Sequence, residues 1–158
     1  MKTKAKAKVK AIPDGFHAVT PYLIVKGADK VIEFVKKAFD AKAQIHVMGP
    51  NGTIGHAQVR IGDSAIMIGE ASGGKECPAS PATLYVYVKD VDATYKRALK
   101  AGGAKTMEPA DMFWGDRYGA VKDSAGNTWG IAIHVEDVSP AELKKRAATF
   151  MAKQPAAA

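Results

Sequence analysis

An internal repeat constrains the fold of this chain more than any other feature of its sequence. Residues 20–43 match residues 83–106 without a gap, at a spacing of 63 positions. Identical pairs include Thr20 with Thr83, Tyr22 with Tyr85, and Asp29 with Asp92. A duplication within 158 residues leaves room for two small modules that share one core, and not for two independent domains.

Each copy of the repeat predicts the same order of secondary structure. A strand rich in Val, Ile, Leu and Tyr (residues 19–25 and 83–88) precedes an amphipathic helix. Three short strands separated by turn residues follow in each copy. They are predicted at residues 43–48, 54–61 and 64–69, and again at 105–111, 117–122 and 128–134. The sequence therefore predicts an α+β fold made of two tandem βαβββ modules.

The ends of the chain differ from the repeated part. Residues 1–11 alternate Lys with small side chains and are expected to form a disordered basic tail. Residues 12–138 form the predicted domain, with modules at about 16–70 and 82–135. Ser139, Pro140 and Glu142 are typical of a helix start, so residues 139–158 are expected to form a C-terminal helix and tail.

Charge and composition exclude several classes of function. The net charge is +7, but residues 11–141 contain 14 basic and 15 acidic side chains, so the folded part carries a charge of −1. A nucleic-acid groove needs a basic stripe on a folded face, and we predict no nucleic-acid partner. We also predict no membrane partner, because apolar runs are short. With a single cysteine, Cys77, and no secretion signal, a cytoplasmic location is expected.

Short motifs along the repeat resemble those of one superfamily. They are HAVTPYL at 17–23, GHA at 55–57, IGDS at 61–64, MFWGDRYG at 112–119, WGIA at 129–132 and HVEDV at 134–138. Together with the repeat they resemble the vicinal-oxygen-chelate superfamily of glyoxalase I, bleomycin-resistance proteins and extradiol dioxygenases, and within it the PhnB-like branch. The resemblance implies that both sheets form a curved, partly open mixed β-barrel with outer helices. It also implies a ligand on the concave face and a homodimer.

The resemblance also implies where a metal ion would bind. Enzymes of the superfamily take one ligand from each of four strands, at positions that correspond here to Thr20, Met67, Thr83 and Gly130. Hydroxyl, thioether and hydrogen side chains do not make a first shell for such an ion. We therefore predict no metal and no other cofactor, and we expect these four residues to line one cavity that binds ligand.

The remaining candidate ligand-binding residues are mostly aromatic. Alternation along the first strand of each module places Tyr22, Tyr85 and Tyr87 on the predicted inner face. The turn at 112–119 adds Trp114, Arg117 and Tyr118, which suit a planar or anionic ligand. His56 lies on the polar face of its strand. Two structural alternatives remain open: the turn caps the core, with Asp116 clamped to Arg117, and His56 is a partly exposed sheet residue.

Three functions are compatible with this sequence. The first is a metal-free protein that binds a small aromatic or amphipathic molecule in a concave cavity. The second is an enzyme, either a glyoxalase-type lyase or isomerase or a dioxygenase, that uses an unusual metal site or an acid and base. The third is a module whose basic tails bind an acidic partner. We favour binding of a small molecule, and catalytic residues stay unassigned.

Overall fold

The computed structural model describes residues 9–75 and 77–153, so most of the predicted basic tail lies outside the described residues. The first module contains β1 (Tyr22–Val25), α1 (Ala28–Phe39), β2 (Lys42–Met48), β3 (Ile54–Ile61) and β4 (Ser64–Glu70). The second contains β5 (Thr83–Tyr87), α2 (Val91–Lys100), β6 (Ala104–Asp111), β7 (Asp116–Lys122) and β8 (Thr128–His134). Helix α3 (Pro140–Ala152) follows.

Each module folds into its own four-stranded mixed sheet. The strand orders are β1-β4-β3-β2 and β5-β8-β7-β6, so the modules have the same topology. The first and last strands of each module are parallel neighbours, and the other pairs are antiparallel. Within the described ranges the two sheets stay separate and form no closed barrel. The α+β fold with two βαβββ modules is thereby confirmed.

The two modules share one hydrophobic core beneath their helices. Apolar side chains recur along α1 at helical spacing and are buried against the first sheet. Phe34 and Phe39 of α1 also contact Trp129 of β8, with ring centroids 6.2 and 5.4 Å away. Because Trp129 is fully buried, this contact joins the first helix to the second sheet. The repeat therefore folds as one unit.

The two repeated helices begin in different ways. Gly27 precedes α1 in a left-handed conformation, and the carboxylate of Glu70 accepts hydrogen bonds from the amides of Gly27 and Ala28 at 2.8–3.1 Å. Helix α2 is capped by its own Asp90, whose carboxylate accepts from the amide of Ala93 at 2.9 Å. The cap at Asp90 confirms the local sequence pattern, whereas Glu70 acts across the fold.

The boundaries of the first strand differ from the prediction. Strand β1 begins at Tyr22, three residues later than expected, because Pro21 has no amide hydrogen and the hydroxyl of Thr20 bonds to the carbonyl of His17 in a turn.

None of the helices in 9–75 and 77–153 has the length and apolar character needed to cross a bilayer.

Candidate functional site

Each sheet has one face that is not covered by α1 or α2, here called its open face. In the first sheet Leu23 and Val25 point into the core, so alternation places Tyr22 on the open face, beside Met67. In the second sheet Tyr85 stands beside Gly130 in the equivalent register. The two open faces therefore present Tyr22 and Tyr85 at corresponding positions.

The open face of the first sheet carries a tyrosine and two histidines. The hydroxyl of Tyr22 lies 3.2 Å from Nδ1 of His56, and the two rings meet edge to face with centroids 5.4 Å apart. The ring of His46 lies 6.0 Å from that of His56. His56 is thus held on the open face, beside Tyr22.

Four aromatic side chains gather on the open face of the second sheet, and we call them the aromatic cluster: Tyr85, Tyr87, Trp114 and Tyr118. Tyr85 stacks on Tyr118 with centroids 5.1 Å apart, and Tyr87 lies 5.3 Å from Tyr85. The indole nitrogen of Trp114 donates to the hydroxyl of Tyr85 at 3.3 Å. Because Tyr85 is 44% and Tyr87 64% exposed, both rings can contact a ligand.

Gly130 makes room for this cluster. A methyl group at its Cα would lie 2.6 Å from the ring of Tyr118, which is closer than van der Waals contact allows. The ring of Tyr118 therefore covers Gly130 and is positioned to stack on Tyr85. The missing side chain of Gly130 thus leaves the space that the ring of Tyr118 occupies.

Trp114 is held in place by the segment that follows β8. The carbonyl of Gly115 accepts hydrogen bonds from the amides of Val135 and Glu136 at 2.9 and 3.0 Å. Phe113 packs against Phe150 of α3, with centroids 5.0 Å apart. The C-terminal helix thereby supports the turn that presents Trp114.

A buried carboxylate anchors the cluster from below. Asp116 accepts hydrogen bonds from the hydroxyls of Tyr85 and Tyr87 at 2.7 and 3.1 Å, and lies 2.8 Å from Nδ1 of His134. Burial raises the pKa of Asp116, but the hydrogen bonds from His134, Tyr85 and Tyr87 outweigh it and hold the pKa below its ordinary value. Burial and the bond to Asp116 raise the pKa of Tyr85 well above its usual range. Tyr85 therefore remains a neutral donor.

His134 bridges two carboxylates. Its Nε2 lies 2.8 Å from Asp137, and its Nδ1 faces Asp116. Hydrogen bonds to Asp137 and then to Asp116 raise the pKa of His134 above its ordinary value. Because its side chain is 52% exposed, the imidazole is oriented by a buried partner and still accessible to a ligand.

A crevice of about 1260 Å³ lies between the outer strands β1 and β5. Its lining combines residues of both strands with core residues such as Phe39 and Trp129. Of the predicted site residues, it contains Tyr22, Thr83, Tyr85 and Tyr87. His134 also lines it, so the crevice meets the aromatic cluster at β5.

Other predicted site residues lie apart from this crevice. Thr20 is in the turn before β1, while Met67 and Gly130 are on the inner strands β4 and β8. Of the four residues at the usual metal positions, the crevice lining includes Thr83 alone. Within the described ranges this crevice does not bring the four residues together, and the ring of Tyr118 covers Gly130. The common cavity of these four residues stays a prediction.

Arg117 points away from the aromatic cluster. Its guanidinium binds Asp92 of α2 through two hydrogen bonds of 2.8 Å and Asp111 through one of 3.1 Å. These ion pairs raise the pKa of Arg117 further, so it is a fixed cation on the helix side of β7. The structural alternative in which Asp116 is clamped to Arg117 is not observed, because adjacent strand residues point to opposite faces.

The residues at the usual metal positions do not fit a metal ion. Thr20 bonds to a backbone carbonyl, Gly130 lies under Tyr118, and Met67 offers only a thioether. Glu70, three residues after Met67, is occupied by the amides of α1. Across the described ranges, no group of three or more His, Cys, Asp or Glu side chains is arranged to hold a metal.

Sequence reasoning missed the central role of Asp116, His134 and Asp137. The alternation of side chains along β7 indicates that Asp116 shares a face with Tyr118, because Arg117 between them lies on the other face. His134 is paired with Asp116 across β7 and β8. The pairing of these strands, which single-sequence patterns leave open, brings the three residues together.

Comparisons with known proteins agree with this fold. The model of the Glyoxalase/Bleomycin resistance protein/Dioxygenase superfamily matches residues 15–131. An uncharacterized protein of Mycobacterium bovis is 38% identical over 136 residues, which cover 80% of this chain and 90% of that protein. The crystal structure of TioX from Micromonospora sp. ML1 has a TM-score of 0.63 at 22% identity, covering 75% of this chain and 99% of that one.

A second solved structure has a similar fold. It is that of a glyoxalase-related enzyme from Fulvimarina pelagi, with a TM-score of 0.61 at 16% identity, covering 75% of this chain and 88% of that chain. At this level of identity the likeness concerns the fold. The family model covers most of the chain and both modules. The chain belongs to the glyoxalase/bleomycin resistance protein/dioxygenase superfamily.

Proposed function

We propose that this protein is a member of the PhnB-like branch that binds a small aromatic or amphipathic molecule without a metal at the usual positions. The aromatic cluster at the crevice carries the proposal. Two of its rings, Tyr85 and Tyr87, are exposed where they line the crevice, and their hydroxyls are fixed by Asp116. Fixed rings provide large apolar contact area with little loss of side-chain entropy on binding.

We propose a small molecule as the partner, and neither nucleic acid nor a membrane. The excess of positive charge lies at the ends of the sequence, outside residues 11–141. The crevice itself is lined by apolar and aromatic side chains with a few charged groups of both signs. Such a lining suits a compact ligand with planar apolar parts.

We propose further that the protein is a homodimer. Strand β2 is an outer strand of the first sheet and exposes three apolar side chains, Ile45, Val47 and Met48, at 49%, 53% and 58%. The equivalent strand β6 instead carries Pro109 and an ion pair between Lys105 and Glu108. A second copy covering β2 would bury the exposed apolar strand and protect its unpaired backbone.

A second candidate function is proton transfer on a bound molecule. It is favoured by His134, which lines the crevice while the buried Asp116 orients it. A buried carboxylate bonded to an accessible imidazole is an arrangement used for general acid and base catalysis. In that case the protein is a lyase or isomerase whose chemistry uses His134 and needs no ion in the usual metal positions.

Native mass spectrometry and metal analysis of protein purified without added metal test the main proposal. We expect a dimer, no stoichiometric Zn, Ni, Mn or Fe after dialysis, and binding of planar aromatic probes such as quinoline. A stoichiometric metal that is lost on His56→Gln would overturn the metal-free function. Release of a chemically changed compound by the wild type, but not by His134→Gln, would favour proton transfer over simple binding.

A further inference from the structure

We propose that the aromatic cluster selects cationic aromatic compounds over anionic compounds of the same shape. The inference rests on the proposed function, because it names the class of ligand that the same site takes. It reverses the expectation that Arg117 would favour an anion.

The charge beside the cluster is negative. Asp116 lies under Tyr85 and Tyr87, and Asp137 extends the same network through His134. Two carboxylates surround one imidazole, so a negative charge remains even when His134 is protonated. A cation that approaches the exposed rings therefore meets an attractive field.

Two arginines, one on β7 and one in the crevice lining, are engaged by other groups of the protein. Arg117 is bound by Asp92 and Asp111 on the opposite face of β7. Arg97, in the crevice lining, donates to the carbonyl of Ala38 and to the hydroxyl of Thr94. The lining also contains one lysine and three acidic residues, which are Lys89, Asp40, Asp63 and Asp90.

The rings themselves add to this preference. Tyrosine rings attract cations through their faces, and the partly exposed rings of Tyr85 and Tyr87 both line the crevice, with centroids 5.3 Å apart. The hydroxyls of both rings donate to Asp116, which makes the rings richer in electron density. A ligand that combines a planar ring with a positive charge can use the rings and the carboxylates together.

Three probes of nearly the same size test the charge preference by calorimetry at neutral pH. They are N-methylquinolinium, which is a cation, quinoline, which is neutral, and 2-naphthoate, which is an anion. We expect N-methylquinolinium to bind about 5-fold or more tighter than 2-naphthoate, with quinoline between them. The difference should shrink in high salt, because the field is partly exposed to solvent.

A charge-neutralising variant assigns the preference to the site. Asp137→Asn removes an exposed carboxylate from the network and should weaken N-methylquinolinium binding by about 2- to 5-fold while leaving quinoline unchanged. Asp14→Asn, at another exposed aspartate, is the matched control and should have no effect.

The outcomes separate the two proposals. Quinoline binding that depends on Tyr85, with equal affinities for the cation and the anion, would overturn the charge preference and keep the aromatic site. No binding of any probe would overturn both. Tighter binding of 2-naphthoate would show that a cation such as Lys89 dominates the field instead.

Discussion

Asp116 and His134 form one hydrogen-bonded pair across β7 and β8, with Nδ1 of the imidazole 2.8 Å from the carboxylate. The carboxylate is 5% exposed and the imidazole side chain 52% exposed. One partner is therefore fixed by the fold, and the other faces the crevice. The same hydrogen bond therefore joins two strands of the second sheet and orients the imidazole on its open face.

Stability should depend on pH through this pair. The raised pKa of His134 means that the pair stabilises the fold below about pH 6.5 and loses this contribution as pH rises through the folded-state pKa. The lowered pKa of Asp116 means that its ionised carboxylate also stabilises the fold, and that this stabilisation is lost only as pH falls below about 4. Urea unfolding should show a larger gap between wild type and His134→Gln at about pH 5.5 than at about pH 8.5. If wild type and His134→Gln differ in stability by the same amount at both pH values, His134 does not have the raised pKa described here.

Loss of the Tyr85 ring should weaken probe binding. Tyr85→Ala should reduce the affinity for quinoline by about 1–3 kcal/mol if the ring is a buried contact in the complex. Tyr85→Phe keeps the ring but loses the bond to Asp116, so it should retain most of the affinity. If both variants bind as wild type does, the ligand lies elsewhere.

A methyl group at residue 130 should disturb the cluster without unfolding the protein. Gly130→Ala would force the ring of Tyr118 to move, because that ring lies 2.6 Å from the position that the new methyl carbon would take. The atoms in conflict belong to the far end of a side chain, which can shift. We expect altered near-ultraviolet circular dichroism and altered quinoline affinity, with the far-ultraviolet spectrum preserved. An unchanged near-ultraviolet signal would show that Tyr118 does not depend on Gly130.

The turn before β8 should depend on Asp123. Its buried carboxylate accepts hydrogen bonds from the amides of Ala125 and Asn127, the side chain of Asn127 and the indole of Trp129, all at 2.8–3.0 Å. Asp123→Ala leaves several buried donors without a partner and should lower the free energy of unfolding by about 3 kcal/mol or more. Ser124→Ala, exposed in the same turn, is the control and should cost little.

A charge on β2 should weaken the proposed dimer. Val47→Lys places an ammonium group among the exposed apolar side chains of β2 and should shift the protein towards monomer in light scattering. Thr106→Lys, on the outer strand of the second sheet, should leave the oligomeric state unchanged. A monomeric wild type at all concentrations would contradict the dimer.

The repeat predicted the order of helices and strands because each element is indicated by residues that are close together in the sequence. Alternation along strands and helical spacing of apolar residues are set by neighbours in sequence, so the βαβββ order and the cap at Asp90 were confirmed. The site depends on contacts between distant residues. The turn sequence put Asp116 beside Arg117, but the strand they share turns these side chains to opposite faces. The partner of Asp116, His134, is 18 residues away.

The different starts of α1 and α2 imply different folding behaviour for the two copies. The amide groups that begin α2 find their acceptor, Asp90, within the same turn, so this helix can start before the second sheet is complete. The amide of Ala28 at the start of α1 instead donates to Glu70, which lies 42 residues later in the sequence, at the end of β4. The cap of α1 therefore requires a long loop to close first, and we expect α2 to be capped earlier in folding than α1.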